Sequence, residues 1–278
     1  MNSLLTSQFI NEKIAELTSE NKNRFEMLSD FAQTAESEGK NILILTEENG
    51  RKILRTTDYV GFVCFADGTQ LEILPHISKE CENEFYEARK LLCRSLCELF
   101  DIVYPDNAID NSESFFECFI SVFVKESMKI IKSGMLHGYK SVEENLNMVQ
   151  GNIMFAENSR KNLIHQERVY VRHDVFTSDR AENRLIKATA KLMMKLSVNS
   201  QSSRSLKQIL SFLEEVKTPV SYKEEFSKCI NTRNTKKYNT VLNICRMVLN
   251  NRDGENFGSY VSYAMFFKER EVISSYKS

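Results

Sequence analysis

Three features of the chain predict an α+β fold. Apolar residues recur at helical spacing over most of its length. Over residues 42–74 the apolar period switches from helical to alternating, with turn-forming pairs between the runs. Glycine and proline are scarce, nine and three in 278 residues, which favours long regular elements over arrays of turns. Hydrophobic residues make up 42% and charged residues 27%, the balance of a globular protein of one large or two smaller domains. Two regions are expected: 1–80, with N-terminal helices and an antiparallel β meander, and 81–278, mainly helical with a small second β element near 140–176.

The elements follow in order. Leu4, Leu5, Phe9, Ile10, Ile14 and Leu17 share one helical face, so residues 4–17 read as a first helix. Leu28, Phe31, Ala32 and Ala35 predict a second helix over 24–38, which Gly39 is placed to end. Strands are predicted at 42–46, 52–55, 59–65 and 70–74. Asn49-Gly50 and Asp67-Gly68 join them, and both pairs suit type I′ hairpin turns, which need positive φ at both central positions. Beyond Pro75, Phe85, Ala88, Leu91, Leu92, Leu96, Leu99 and Phe100 form one helical stripe. Residues 101–113 read as a loop. A helix over 114–133 turns Phe116, Phe119, Ile120, Phe123, Ile130 and Ile131 inward and Lys125, Glu126, Lys129 and Lys132 outward. Residues 138–176 are the hardest to read: Leu146, Met148 and Met154 fit a strand, Val142, Leu146, Val149 and Ile153 fit a helix, and Gly151 favours strands. VYVRHDVF (169–176) alternates as a strand should. Asp179 and Glu182 have the spacing of a capping box for a helix over 180–197. Further helices are predicted at 204–217 and 235–250.

Composition excludes several function classes. A net charge of −1 gives no global pull toward nucleic acid or acidic membrane. Seven cysteines, an odd number with no CxxC pair, suggest neither a zinc ribbon nor a disulfide framework, and Cys93 and Cys97 read as core. The N-terminal residues lack the pattern of a signal peptide, and the expected location is the cytoplasm. No glycine-rich phosphate loop and no GxSxG elbow occurs. The four histidines (76, 137, 165 and 173) are not spaced as ligand pairs on a helix. His173-Asp174 reads as an acid–base or metal pair, or more plainly as a surface polar pair.

A metal-dependent nuclease needs an Asp and an acid-x-Lys on adjoining strands, where the carboxylates hold Mg²⁺ and the lysine stabilises developing charge. The tripeptide occurs at Glu38-Gly39-Lys40 and Glu215-Val216-Lys217, both at predicted helix ends and so wrongly placed. No catalytic or metal-ligating residue is therefore assigned, and no cofactor is expected in this chain. Two stretches carry local positive charge. One holds Arg160, Lys161, Arg168 and Arg172 against Glu167. The other holds Lys228, Arg233, Lys236, Lys237, Arg246 and Arg252, with Asp253 and Glu255 beyond. Each reads as a solvated face or as a salt-sensitive phosphate-contacting surface.

Four segments, in order, resemble one family. DYVGFVCFADGTQLEILPHI (58–77) is similar to the meander of McrC-type proteins, the second subunit of modified-cytosine restriction systems. EFYEARKLLCRSL (84–96) resembles the family's next helix. FISVFVKESMKIIKSGMLHGYKSVEENLNMVQGNIMFAENSRKN (119–162) and VRHDVFTSDRAENRLIKA (171–188) resemble the segments that follow. The resemblance implies an adaptor that docks on and stimulates an AAA+ GTPase ring in defence against foreign DNA. GTP and Mg²⁺ are implied only for the complex. It singles out Tyr139, Glu143, Glu144, Asn145 and Asn162 as partner-binding residues. Arg160, Lys161, Arg168, Lys236, Lys237 and Arg246 are the DNA-contact candidates. Asn183, in the first turn of its helix, is open to a structural bond with the preceding loop or to a partner contact. The sequence departs from the family at His76, where a lysine is usual. It departs again at 262–278, which is read as lacking strands that carry the family's PD-(D/E)xK nuclease motif, so the nuclease domain is expected to be absent. Two other readings remain open: a Mg²⁺-dependent endonuclease with an unrecognised site, and a stand-alone DNA-binding module.

Overall fold

A computed structural model describes residues 4–7, 13–16, 22–76, 84–103, 114–250, 257 and 259–276. The first region holds β1 (Leu4–Ser7), β2 (Lys13–Glu16), α1 (Lys22–Ser37), β3 (Leu43–Glu48), β4 (Arg51–Thr56), β5 (Tyr59–Phe65) and β6 (Gln70–Ile73). Next come α2 (Glu84–Leu99), α3 (Phe115–Lys132), β7 (Gly138–Leu146), β8 (Asn152–Ile153), α4 (Phe155–Lys161) and β9 (Val169–Thr177). The chain continues through α5 (Ala181–Leu196), α6 (Ser200–Phe212), α7 (Tyr222–Lys228), a 3₁₀ turn (Lys236–Tyr238), α8 (Asn239–Asn250), β10 (Val261–Lys268) and α9 (Glu269–Tyr276). The class is α+β, and the sheets run β1-β6-β5-β10, β2-β4-β3 and β7-β9-β8.

The strand-rich stretch departs from its expected form in three ways. Residues 4–7 and 13–16 are strands rather than one helix: β1 pairs parallel to β6 and β2 antiparallel to β4. The backbone hydrogen bonds of two open sheet edges outweigh a short helix's own periodicity. Residues 8–12 and 17 of that expected helix lie outside the described residues. The single meander is instead two hairpins, β3–β4 and β5–β6, in different sheets. Only the first has the type I′ signature, with Asn49 and Gly50 at φ 52° and 76°. In the second, Gly68 alone takes positive φ. Its N–H donates to Phe65 O at 3.0 Å, and the Phe65 N–H donates to Thr69 O at 2.8 Å, a type I turn closed by a bulge. Asp67 stays out of the left-handed region, its carboxylate accepting from the Thr69 N–H at 2.8 Å.

Strand β5 is the spine of the body because it is buried on both faces. Val60, Phe62 and Cys64 face a helical core built by α2, α3, α5, α6 and α8, while Val63 and Phe65 face a second core under α1. Phe62 stacks on Phe116 of α3 with ring centroids 4.9 Å apart. Phe31 of α1 meets Phe65 edge-on at 5.7 Å. Helix α2 packs Ala88, Leu92, Cys93, Leu96 and Cys97 inward, whereas Phe85 and Leu99 of the predicted stripe are exposed. Burial pushes the Cys97 and Cys245 thiols up to about 12, consistent with core rather than reactive cysteines.

The C-terminal stretch, read from sequence as lacking strands that carry the nuclease motif, contains β10. It returns to pair antiparallel with β5 from Lys268↔Tyr59 to Val261↔Phe65. The approach is close at Gly61 (φ 152°), where an added Cβ would run into the Met265 carbonyl. No carboxylate lies on β10 itself. Helix α6 stops at Phe212, short of the expected 217. Leu213 and Val216 are buried in the following turn, held by Lys187 Nζ donating to Glu214 O at 2.9 Å and also to Val216 O. Helices α4 and α7 were not anticipated. Each is only 7 residues long, too short to display a full apolar period.

Candidate functional site: a projecting arm and its root

Residues 138–177 build an arm. Strands β7 and β9 pair antiparallel over their full length, Gly138↔Thr177 to Leu146↔Val169, with the two-residue β8 on the other edge of β9. These strands and α4 pack principally on one another. Gly151 (φ 73°) permits this crossing: an added Cβ would collide with the Arg172 carbonyl and lie 2.8 Å from His173 Cβ.

Among the arm's residues only Val171, Asn162 and His173 are buried. So thin an element is held by polar bonds rather than by a core. Asn145 and Asn162 exchange amide hydrogen bonds at 2.7 and 2.8 Å, and Asn162 Nδ2 also reaches Asn158 Oδ1 at 2.7 Å. Asn158 Oδ1 in turn accepts from the Tyr170 N–H at 2.8 Å. Asn145 and Asn162, both partner-binding candidates, thus fasten α4 to the sheet. Glu143 pairs with Arg172 at 2.9 Å, on the face that carries Tyr139 and Phe176. Glu144 meets His173 Nε2 at 2.9 Å on the opposite face, so His173 pairs there rather than with Asp174. The His173 Nδ1 is buried without a hydrogen-bond partner.

The arm's surface is unusually apolar for so small an element. Tyr139, Met148, Val149, Phe155, Leu163, Ile164, Val175 and Phe176 are all exposed, Ile164 at 87% and Tyr139 at 78%. Sequence reasoning found Tyr139 but missed the others. The signal was present in Leu163-Ile164, an apolar pair within a run of polar residues.

The arm's root is bonded to the body. Asn183, fully buried in the first turn of α5, donates to Leu136 O, just before the arm, at 2.9 Å, and to Ser178 O, just after it, at 2.7 Å. Its Oδ1 accepts from the buried Tyr238 hydroxyl at 3.0 Å, and that hydroxyl accepts from the Leu136 N–H at 2.9 Å. Burial pushes the Tyr238 phenol up to about 12, so it remains a donor at neutral pH. One amide therefore grips both chains that enter and leave the arm, and the structural alternative for Asn183 is the one observed.

Asp179 forms no capping box. It pairs with Arg184 at 2.6 Å and with Lys140 of β7 at 3.5 Å, and it accepts from the Lys217 N–H at 3.0 Å. These bonds, Arg184's first, hold its carboxyl down at about 2. Arg184 continues the network to Glu225 of α7 at 3.2 Å. Lys217 of the second acid-x-Lys tripeptide is thus a backbone donor in a turn. Among the described residues, no group of three or more His, Cys, Asp or Glu side chains is placed to hold a metal ion.

The DNA-contact candidates separate into two groups. Arg160, Lys161 and Arg168 lie toward the Val169 end of β9, with Lys161 Nζ 3.7 Å above the Tyr170 ring. Lys237 lies at the root, donating to Gly134 O at 2.6 Å, with Lys236 beside it in the 3₁₀ turn. Arg246 covers the Phe226 ring at 5.5 Å and donates to Asn243 at 2.7 Å. The ends of β9 are about 26 Å apart at roughly 3.3 Å per residue, so the tip and root groups do not form one patch.

The fold and arm define a class of protein: an α+β body with two cores on either face of β5, presenting a sheet-built arm with many exposed apolar side chains. The model of the McrBC 5-methylcytosine restriction system component family matches residues 54–276, and the chain belongs to that family. It is 25% identical over 158 residues to the type IV methyl-directed restriction enzyme EcoKMcrBC of Escherichia coli K12. That match covers 56% of this chain and 45% of the relative, so the chain spans about half the relative's length. The fold is also that of a chain in the cryo-EM structure of the Thermococcus gammatolerans McrBC complex. The TM-score is 0.70 at 16% identity, over 98% of this chain and 85% of that one. A refined half-complex of T. gammatolerans McrB AAA+ hexamers with bound McrC contains a further similar chain. Its TM-score is 0.72 at 14% identity, over 99% of this chain and 69% of that one. Among the described residues, no helix is long and apolar enough to cross a membrane.

Proposed function

We propose that this chain is the McrC-type subunit of a modified-cytosine restriction system, that it works in the cytoplasm, and that it docks through its arm on an AAA+ GTPase ring and raises the ring's turnover. The observation that carries this reading is the arm: it exposes Phe155, Leu163 and Ile164 near its tip, yet is anchored at its root by buried hydrogen bonds. Exposed apolar side chains contribute little to a monomer's stability and much to an interface that removes them from water. A braced root lets such an element transmit force or orientation, which a floppy one does not. Support comes from family membership and from the fold shared with a chain of the T. gammatolerans half-complex of McrB AAA+ hexamers with bound McrC. GTP and Mg²⁺ belong, in this reading, to the ring.

Mixing the purified chain with the AAA+ GTPase of the same system tests it. Co-elution and faster GTP turnover are expected. The double variant Leu163→Asp/Ile164→Asp should lose both while keeping its melting temperature, because both side chains are exposed. If the unsubstituted chain neither co-elutes nor changes turnover, the reading is wrong.

A further inference from the structure

The root of the arm carries a feature that ring docking does not require. His137 and Phe176 stack with ring centroids 5.0 Å apart and planes 18° from parallel, and Tyr139 leans on Phe176 at 5.2 Å. All three rings are exposed, Phe176 at 61%. His137 and Phe176 line a groove of about 450 Å³ together with Met135 and Leu136. Arg233 and Lys237 line it as well. No carboxylate lines the groove. Lys237 Nζ donates to the Ser133 hydroxyl and the Gly134 carbonyl, both neutral, so neither acceptor cancels its charge. His137 Nδ1 is bonded to Met135 O at 2.9 Å, which fixes the ring's orientation.

We infer that this groove binds single-stranded nucleic acid, one base stacking on the aromatic lining of His137 and Phe176 while the adjoining phosphates meet Arg233 and Lys237. An aromatic face supplies sequence-tolerant stacking, and cations in the same groove supply the backbone attraction. A carboxylate-free lining repels no phosphate. A strand fits better than a free nucleotide, because the groove is open and has no glycine-rich loop of amides to enclose a terminal phosphate. A duplex fits poorly, since its bases are closed to stacking.

The test uses the chain alone, without a GTPase, so its outcome is separate from that of ring docking. Fluorescence anisotropy with a labelled oligothymidylate measures binding, and an abasic strand of equal length, the matching duplex and guanosine monophosphate are compared. The oligothymidylate is expected to bind. Removing the bases, or Phe176→Leu, should weaken binding by about tenfold. Arg233→Gln should lower the log–log salt slope by about 0.7. Unchanged melting temperatures would show that both exposed-site variants fold. Four results would overturn the inference: no binding, an abasic strand bound equally well, equal displacement by the mononucleotide, or a folded Phe176→Leu protein that binds the oligonucleotide as tightly as the unsubstituted chain.

Discussion

Replacing Asn183 by leucine should release the arm from the body. Leucine matches asparagine in branching and approximate size but makes no hydrogen bonds. The change strips the Leu136 and Ser178 carbonyls and the Tyr238 hydroxyl of bonds of 2.9, 2.7 and 3.0 Å at a fully buried side chain. A buried polar group left unpaired costs about 1–3 kcal/mol. The Tyr238 hydroxyl still accepts from the Leu136 N–H, so the expected destabilisation is about 3–5 kcal/mol rather than the full sum for three orphans. Tyr238→Phe should cost roughly 1–3 kcal/mol, and the double variant less than the sum of the two, with a coupling of about 1 kcal/mol. Urea midpoints at constant slope measure the global effect. Amide exchange at 134–138 and 176–180 measures the local one, and it should accelerate there before it does in β5. Wild-type exchange in both segments, with midpoints within about 0.5 kcal/mol of the parent, would refute the clamp.

Other outcomes follow from the same packing. Gly151→Ala must adopt positive φ and displace the backbone of Arg172. It should cost about 2–3 kcal/mol and detach β8, visible as lost amide protection at Ile153. Asp179, held near 2 against an ordinary 3.8, adds stability that is fully present above pH 4 and is lost as pH falls toward 2. Asp179→Asn should flatten that acid limb by roughly 2 kcal/mol, as read from urea midpoints across the window. The Glu72–Arg89 pair, at 2.8 Å with both side chains buried, should be costly to break singly: Arg89→Met leaves a carboxylate stranded and loses about 3–5 kcal/mol. Adding Glu72→Gln should recover part of that loss in the same assay, since burial already pushes the Glu72 carboxyl up and an amide carries no charge.

The family, the class and most helices were legible because the cues are local. Phe116, Phe119 and Phe123 recur at helical spacing whatever surrounds them, and Asn49-Gly50 meets the φ demands of its turn without help. Asp67-Gly68 misled because the pair tolerates two turn types, and the register of β5 against β6 chooses between them. Asn145, Asn162 and Asn183 were visible as polar residues, and for Asn183 a bond to the preceding loop was one of two readings, but the particular hydrogen bonds were not visible. An amide facing a partner and one bonded to a carbonyl many residues away are identical in one dimension. Phe176 was read only as part of an alternating strand, because its stacking on His137 depends on the β7–β9 pairing.

Periodicity, turn chemistry and composition alone therefore determined an α+β chain with helices near 24–38, 114–133 and 180–197 and a strand at 169–176. Each is marked by a pattern of residues within a few positions of one another, which is present in the chain before any core forms. The tertiary structure alone decided that residues 4–7 and 13–16 complete sheet edges, that β10 returns to β5, and that one buried amide fastens the arm. Those outcomes depend on which distant carbonyls and N–H groups are left unpaired when the cores close, and the free energy of a buried unpaired group exists only once water has been excluded.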